Sequence, residues 1–168
     1  MKKTKNAFYT MILFTLSFSS IYGQELDEKL KLLEPFINKK WEAKEPLINE
    51  NAKMEKWFEI IENGKAIKRT DTLNAINATS VYFYYWDFDK QEIGVFGIHN
   101  NGNFAYGHIK EEDGKILYYG YGTFPDIKLE FRNTYEFTED GKFFDKFFSF
   151  ENGEWKSGHS RVFYEKKE

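Results

Sequence analysis

The chain contains no cysteine among its 168 residues. That excludes disulfides, thiolate metal sites and a cysteine nucleophile. It has only three histidines, and none is spaced as in HExxH, so no pair is set on one helical face for a metal. No serine sits in a G-x-S-x-G elbow, which argues against a hydrolase of that class. Gly120-Tyr121-Gly122 lacks the third glycine and the following helix of a phosphate loop. No apolar run reaches the roughly 20 residues of a membrane-spanning helix.

Positive charge is outnumbered beyond the first 23 residues. Lys2, Lys3 and Lys5 form a basic start, Ala7 to Phe18 is an apolar stretch softened by Thr and Ser, and Gly23 precedes Gln24. This pattern predicts a secretory signal peptide over 1–23, removed before Gln24, and export to the periplasm or beyond. An uncleaved N-terminal anchor is the alternative. No cysteine marks the cut, so the pattern is not that of a bacterial lipoprotein. Without 1–23, 21 of the 24 basic residues face all 27 acidic ones, a net charge of −6. A nucleic-acid partner would need a positive field for its phosphates, so none is expected. After cleavage no membrane span is expected either. An exported chain without disulfides must draw its stability from its core.

Aromatic residues are plentiful, at 20% of the chain, beside 30% charged residues. A sequence rich in both classes sorts them onto two faces, and strands do so by alternation. Residues 25–34 read as a short helix, with Leu26, Leu30, Leu33 and Ile37 on one stripe and Pro35 ending the regular turns. The stripe is too small for a domain and suits a plug across one end of a larger body.

From Trp41 the period changes to two. In 127–137, Ile127, Leu129, Phe131, Asn133, Tyr135 and Phe137 share one face, and Lys128, Glu130, Arg132, Thr134 and Glu136 share the other. A slip of one residue would bury all five polar side chains, so the register is well specified. Asn63-Gly64, Asn101-Gly102, Asp113-Gly114, Asp140-Gly141 and Asn152-Gly153 are strong hairpin signals. Turns at Phe124-Pro125-Asp126 and 87–90 and a break at 74–77 complete the punctuation. About ten strands follow: 40–46, 54–62, 65–73, 79–87, 91–99, 103–110, 114–123, 126–137, 142–150 and 154–165. Connections this short join antiparallel neighbours. Gly94, Gly97, Gly107, Gly120 and Gly122 inside strands suggest strong coiling. The expected fold is all-β: a single antiparallel up-and-down barrel over 24–168, with a short N-terminal helix. Closure also removes the exposed edges of an open sheet.

The order of elements, with Trp41 on the first strand and Arg161 in His159-Ser160-Arg161 on the last, resembles the lipocalin-like (calycin) barrels. The resemblance implies that Trp41 and Arg161 stack across the closed end as a cation–π pair. The glycine usual two residues before that Trp is Lys39 here. Leu33-Glu34-Pro35-Phe36-Ile37, Trp57, Asn63-Gly64-Lys65-Ala66, Trp86-Asp87, Asn152-Gly153-Glu154-Trp155 and Gly158-His159 are similar to bacterial lipocalin-like proteins of unassigned function. His159 is similar to the last-strand histidine of nitrobindin-like barrels, which implies a haem ligand; the alternative is a histidine satisfied by its neighbours. No other cofactor is indicated.

The remaining candidates come from the strand pattern. His108 shares a face with Phe104 and Tyr106 and, if inward, is a polar anchor or general base; packing in the core is the alternative. His99, beside a turn, is expected to be solvated. Asn133, Tyr135, Arg69 and Asp71 could form a polar cluster inside the barrel, or the last two could face water. Asp87 and Asp89 are read as turn residues bonding their own backbone. The run Tyr82 to Trp86 and the phenylalanines at 143–150 are aromatic on both faces, which fits either a partner surface or ordinary strand filler. The leading functional reading is a non-enzymatic barrel binding a small hydrophobic or amphipathic molecule. Phe131 and Tyr106 supply apolar wall, and His108, Asn133, Tyr135 and His159 supply polar contacts. An enzyme using His108 or His159 as base, and a packed structural barrel, are the alternatives. Oligomeric state is not indicated.

Overall fold

The computed structural model describes residues 25–43, 52–124 and 127–167. The expected signal peptide (1–23), its cut before Gln24, positions 44–46 of the first expected strand and Pro125-Asp126 lie outside the described residues. Ten strands follow one helix: β1 (Lys40–Ala43), β2 (Met54–Ile61), β3 (Ala66–Leu73), β4 (Ala78–Asp87), β5 (Glu92–His99), β6 (Phe104–Glu112), β7 (Lys115–Phe124), β8 (Ile127–Phe137), β9 (Phe143–Glu151) and β10 (Glu154–Glu165). Each pairs antiparallel with its chain neighbours, and β1 pairs with β10 to close the barrel. This is a closed up-and-down barrel, compatible with a lipocalin-like fold. Among the described residues no helix is long and apolar enough to cross a membrane.

The turns obey the chemistry of their dipeptides. At Asp113-Gly114 and Asn152-Gly153 both residues have positive φ, as a two-residue hairpin matched to the sheet's twist requires. Alternation then fixes the inner wall. Phe131 and Tyr135 of β8 are buried; Ile127 shares their face but is 63% exposed, because β8 starts at an open rim. Gly107 of β6 lies opposite Gly120 of β7. A Cβ on Gly107 would come within 1.9 Å of the Tyr119 carbonyl oxygen, so only glycine permits this approach.

One end of the barrel is stoppered. The helix spans Glu28–Phe36 and is a 3-10 helix that carries Pro35 in its last turn, where a stop before Pro35 was expected. Bonds from Leu30 N–H to the Asp27 carbonyl (2.8 Å) and from Ile37 N–H to the Glu34 carbonyl (3.0 Å) close three-residue turns at its two ends. With three residues per turn, Leu30, Leu33 and Phe36 fall on one stripe, and all three are buried. Phe36 thus takes the inward position that a 3.6-residue period assigned to Ile37. Its ring stacks on Phe58 (4.8 Å) and meets Phe137 (4.8 Å), Phe143 (5.2 Å) and Tyr135 (5.7 Å). Trp41 Nε1 donates to the Phe36 carbonyl (3.3 Å). The plug is tied to the wall by Asp27 N–H to the Gly64 carbonyl and Asn38 N–H to the Phe58 carbonyl, both 3.0 Å.

Strand β10 contains one irregularity. Ser157 lies opposite Phe148 and Ser160 opposite Lys146, so Gly158 and His159 together face Phe147. This β-bulge reverses the alternation: Lys156 is level with inner-face Ser149, but Arg161 is level with inner-face Asp145.

Because Phe36 is 1% exposed and meets five rings, Trp41 among them, Phe36→Ala should lower stability by about 3–5 kcal/mol. Urea unfolding would show a lower midpoint with an unchanged slope.

Candidate functional site

Opposite the plug the barrel opens into a cavity of about 210 Å³. Its apolar wall includes Met54, Phe131 and Phe147, and its floor is polar. On β2, Lys56 shares the inner face with Phe58 and is 3% exposed. On β3, Arg69 and Asp71 alternate inward with Ile67 and are 3% and 7% exposed, so they do not face water. On β9, Asp145 lies between inner Phe143 and Phe147 and is 1% exposed.

These charges are held in pairs. Lys56 Nζ lies 2.6 Å from Asp145 Oδ2, and Asn133 Nδ2 donates to Asp145 Oδ1 at 2.7 Å. Burial would raise the Asp145 pKa, but the Lys56 ammonium and the Asn133 amide reverse that and hold it below the usual carboxylate range. Arg69 Nη1 donates to Tyr84 Oη (2.6 Å) and Tyr135 Oη (3.2 Å), and its plane covers the Tyr82 ring at 3.8 Å. Its Nε lies 3.0 Å from Asp71 Oδ1, close enough for ion pairing but not aligned as a hydrogen bond. Burial works against the Arg69 charge, but Asp71 and the surrounding phenols outweigh it and raise its pKa. Burial raises the pKa of Tyr84, Tyr118 and Tyr135, so all three phenols stay neutral.

The bulge brings His159 to the cavity wall, where its ring stacks on Phe147 (5.2 Å, 8° between planes). Burial first, then the Arg161 charge, lower its pKa to about 4, against a smaller opposing pull from Asp145. His99 is half-buried at the rim and shares a 2.7 Å hydrogen bond with Ser80 Oγ, so it is not simply solvated. Asp87 accepts from the backbone N–H of Asp89 and Lys90, both 3.1 Å, as a turn residue does.

Of the predicted site residues, Asn133, Tyr135, Phe131 and His159 line this cavity together. His108 and Tyr106 do not, and their expected interior placement is corrected. Gly107 between them takes the inner position opposite Val95 and Gly120, which turns both neighbours outward. His108 stacks on Tyr119 and lies 3.9 Å from Glu92, and Tyr106 is 39% exposed. The Trp41–Arg161 stack is also corrected. Trp41 is level with Glu165, four residues beyond Arg161, which is roughly 13 Å of strand. Phe163 lies between them, stacked on Phe143 at 4.9 Å. A cation near the Trp41 ring is Lys39 Nζ (5.5 Å), while Arg161 Nη1 approaches Met54 Sδ (3.6 Å).

Lys56 and Asp145 escaped the sequence reading. Lys56 shares the parity of Phe58 and Ile60, the only signal that could have placed it inside. Asp145 lies in a strand whose two faces both carry phenylalanine. The residues present do not fit a haem: the His159 ring is flat against Phe147, and the cavity is below the about 300–1,000 Å³ of sites for drug-sized ligands. Neither protein-family models nor curated proteins give a match to this chain.

Two outcomes follow. Lys56→Met leaves the Asp145 carboxylate buried without its cation and should cost about 3–5 kcal/mol of stability at neutral pH by urea unfolding. For His159, the unfolded chain protonates near the ordinary 6.5 and the folded one near 4. Its contribution is therefore complete above pH 6.5 and declines as pH falls toward 4. His159→Gln should lose less stability than the native chain between pH 7 and pH 5.

Proposed function

We propose that this is a non-enzymatic carrier or sensor, a lipocalin-like barrel exported to the periplasm or beyond, that holds a small apolar or amphipathic molecule. The observation that carries this reading is the cavity: one end of the barrel is stoppered by Phe36, and the other opens onto an aromatic wall above a polar floor. Ligand sites are mostly apolar with a few aimed polar groups, and this one has that composition. Its size selects a small ligand, or one whose far end stays in the mouth. The helix and the barrel closed onto it support the lipocalin-like resemblance, although the Trp41 and Arg161 side chains are not stacked.

A catalytic reading finds less support. His108 is on the outer face, and the His159 contact is a ring stack, whereas a general base needs hydrogen-bond reach to its proton. A purely structural barrel accounts poorly for an open cavity floored by paired charges.

The test is native mass spectrometry of protein purified gently from its own host, with a retained small molecule expected. In parallel, neutral N-phenyl-1-naphthylamine should gain fluorescence on binding. Ala105 is buried in the cavity wall, so Ala105→Phe should fill the space and weaken that binding by about tenfold or more, some 1.4 kcal/mol. No retained molecule together with no probe binding would sink the carrier reading.

A further inference from the structure

The cavity walls hold an uneven set of charges. Five basic or acidic side chains line it: Lys56, Arg69, Arg161, Asp71 and Asp145. Three are cations and two are carboxylates. Its two histidines, His99 and His159, add no charge, because burial keeps both neutral at that pH.

The two carboxylates are both engaged. Asp145 is held by Lys56 at 2.6 Å and Asn133 at 2.7 Å, and Asp71 lies 3.0 Å from Arg69. Arg161 remains. Its guanidinium reaches the Met54 thioether, a weak acceptor, at 3.6 Å, and the carboxylate that attracts it is Asp145, level with it on β9 but already held by Lys56 and Asn133. Arginine cannot escape by releasing its proton, so the interior carries one surplus positive charge.

The backbone is shaped to present this cation. Without the extra residue at Gly158-His159, the alternation that sets Lys156 level with Ser149 would turn Arg161 to the outer face. The bulge turns Arg161 inward instead. Bulges commonly re-aim a side chain at a site. A half-buried, unpaired guanidinium is costly to keep unless another molecule supplies its counter-charge.

We infer that the cavity takes an amphipathic monoanion, a small carboxylic acid whose carboxylate meets Arg161 while its apolar body lies along Phe131, Phe147 and Met54. The inference rests on the carrier reading and deepens it. A carboxylate suits the planar fork of a guanidinium, which can bind both oxygens at once. A single negative charge balances the surplus, whereas a dianion would leave an excess beside Asp71 and Asp145.

The experiment compares hexanoate with hexanamide, which has the same length and no charge, by calorimetric titration at pH 7.5. The native chain should bind hexanoate about tenfold tighter or more, as charge-assisted bonds are roughly twice as strong as neutral ones. Arg161→Met should bring that ratio to about one. Hexyl phosphate should bind more weakly than hexanoate. Equal affinities for acid and amide in the native chain, or a preference that survives Arg161→Met, would overturn the head-group assignment. Tighter hexyl phosphate would overturn the carboxylate. The native comparison needs no variant, so it decides the matter even if Arg161→Met fails to fold. Bound naphthylamine with no acid preference defeats this inference alone; no binding of any probe defeats the carrier reading with it.

Discussion

Among the described residues the seam between β1 and β10 is three residue pairs long, from Trp41 opposite Glu165 to Ala43 opposite Phe163, and the enclosed interior depends on it. Every other strand pair is longer. A sheet of this size left open would offer two free edges for unwanted pairing. So short a ladder supplies little by itself, and packing behind it does the holding. Trp41 meets Phe143 at 4.9 Å, Phe143 stacks on Phe163 at the same distance, and Phe36 from the helix packs against Trp41 and Phe143. The helix is thus part of the closure as well as a stopper.

Behind that hydrophobic end, paired charges are placed where water is excluded. In such surroundings a lone charge is expensive, and its partner's attraction is correspondingly strong. The Lys56–Asp145 and Arg69–Asp71 pairs join β2 to β9 and bridge positions within β3. Phenols from β4 and β8 close the set around Arg69. The floor of the cavity is consequently polar, with its charges paired, and its rim is aromatic. Arg161, at the boundary between the two, has the weakest protein partner of the three cations.

The strand pattern was legible because its signals are local. Asn-Gly and Asp-Gly pairs adopt the backbone they demand, and the alternation in β8 names its own inner face. The polar members Arg69, Asp71, Asn133 and Tyr135 were visible for the same reason. What was not legible depends on distant contacts. In β6, the large residues Phe104, Tyr106 and His108 look like a core face. The interior instead admits Ala105, Gly107 and Ile109, because Tyr82 and Tyr118 from other strands already fill it. The helix was placed but its period was not, since a proline and two three-residue turns set Phe36, rather than Ile37, toward the core. The bulge at Gly158-His159 has no turn dipeptide to announce it, so the true setting of Arg161 stayed hidden.

A tube with a stopper has a single doorway. On the proposed carrier reading, an occupant of the space above Lys56 and Asp145 would leave by the route it came, past His99 and Phe104. Two occupants cannot pass one another there. Exchange must wait for the resident to depart, so its pace is set by how fast the resident lets go and not by how much of its successor stands outside.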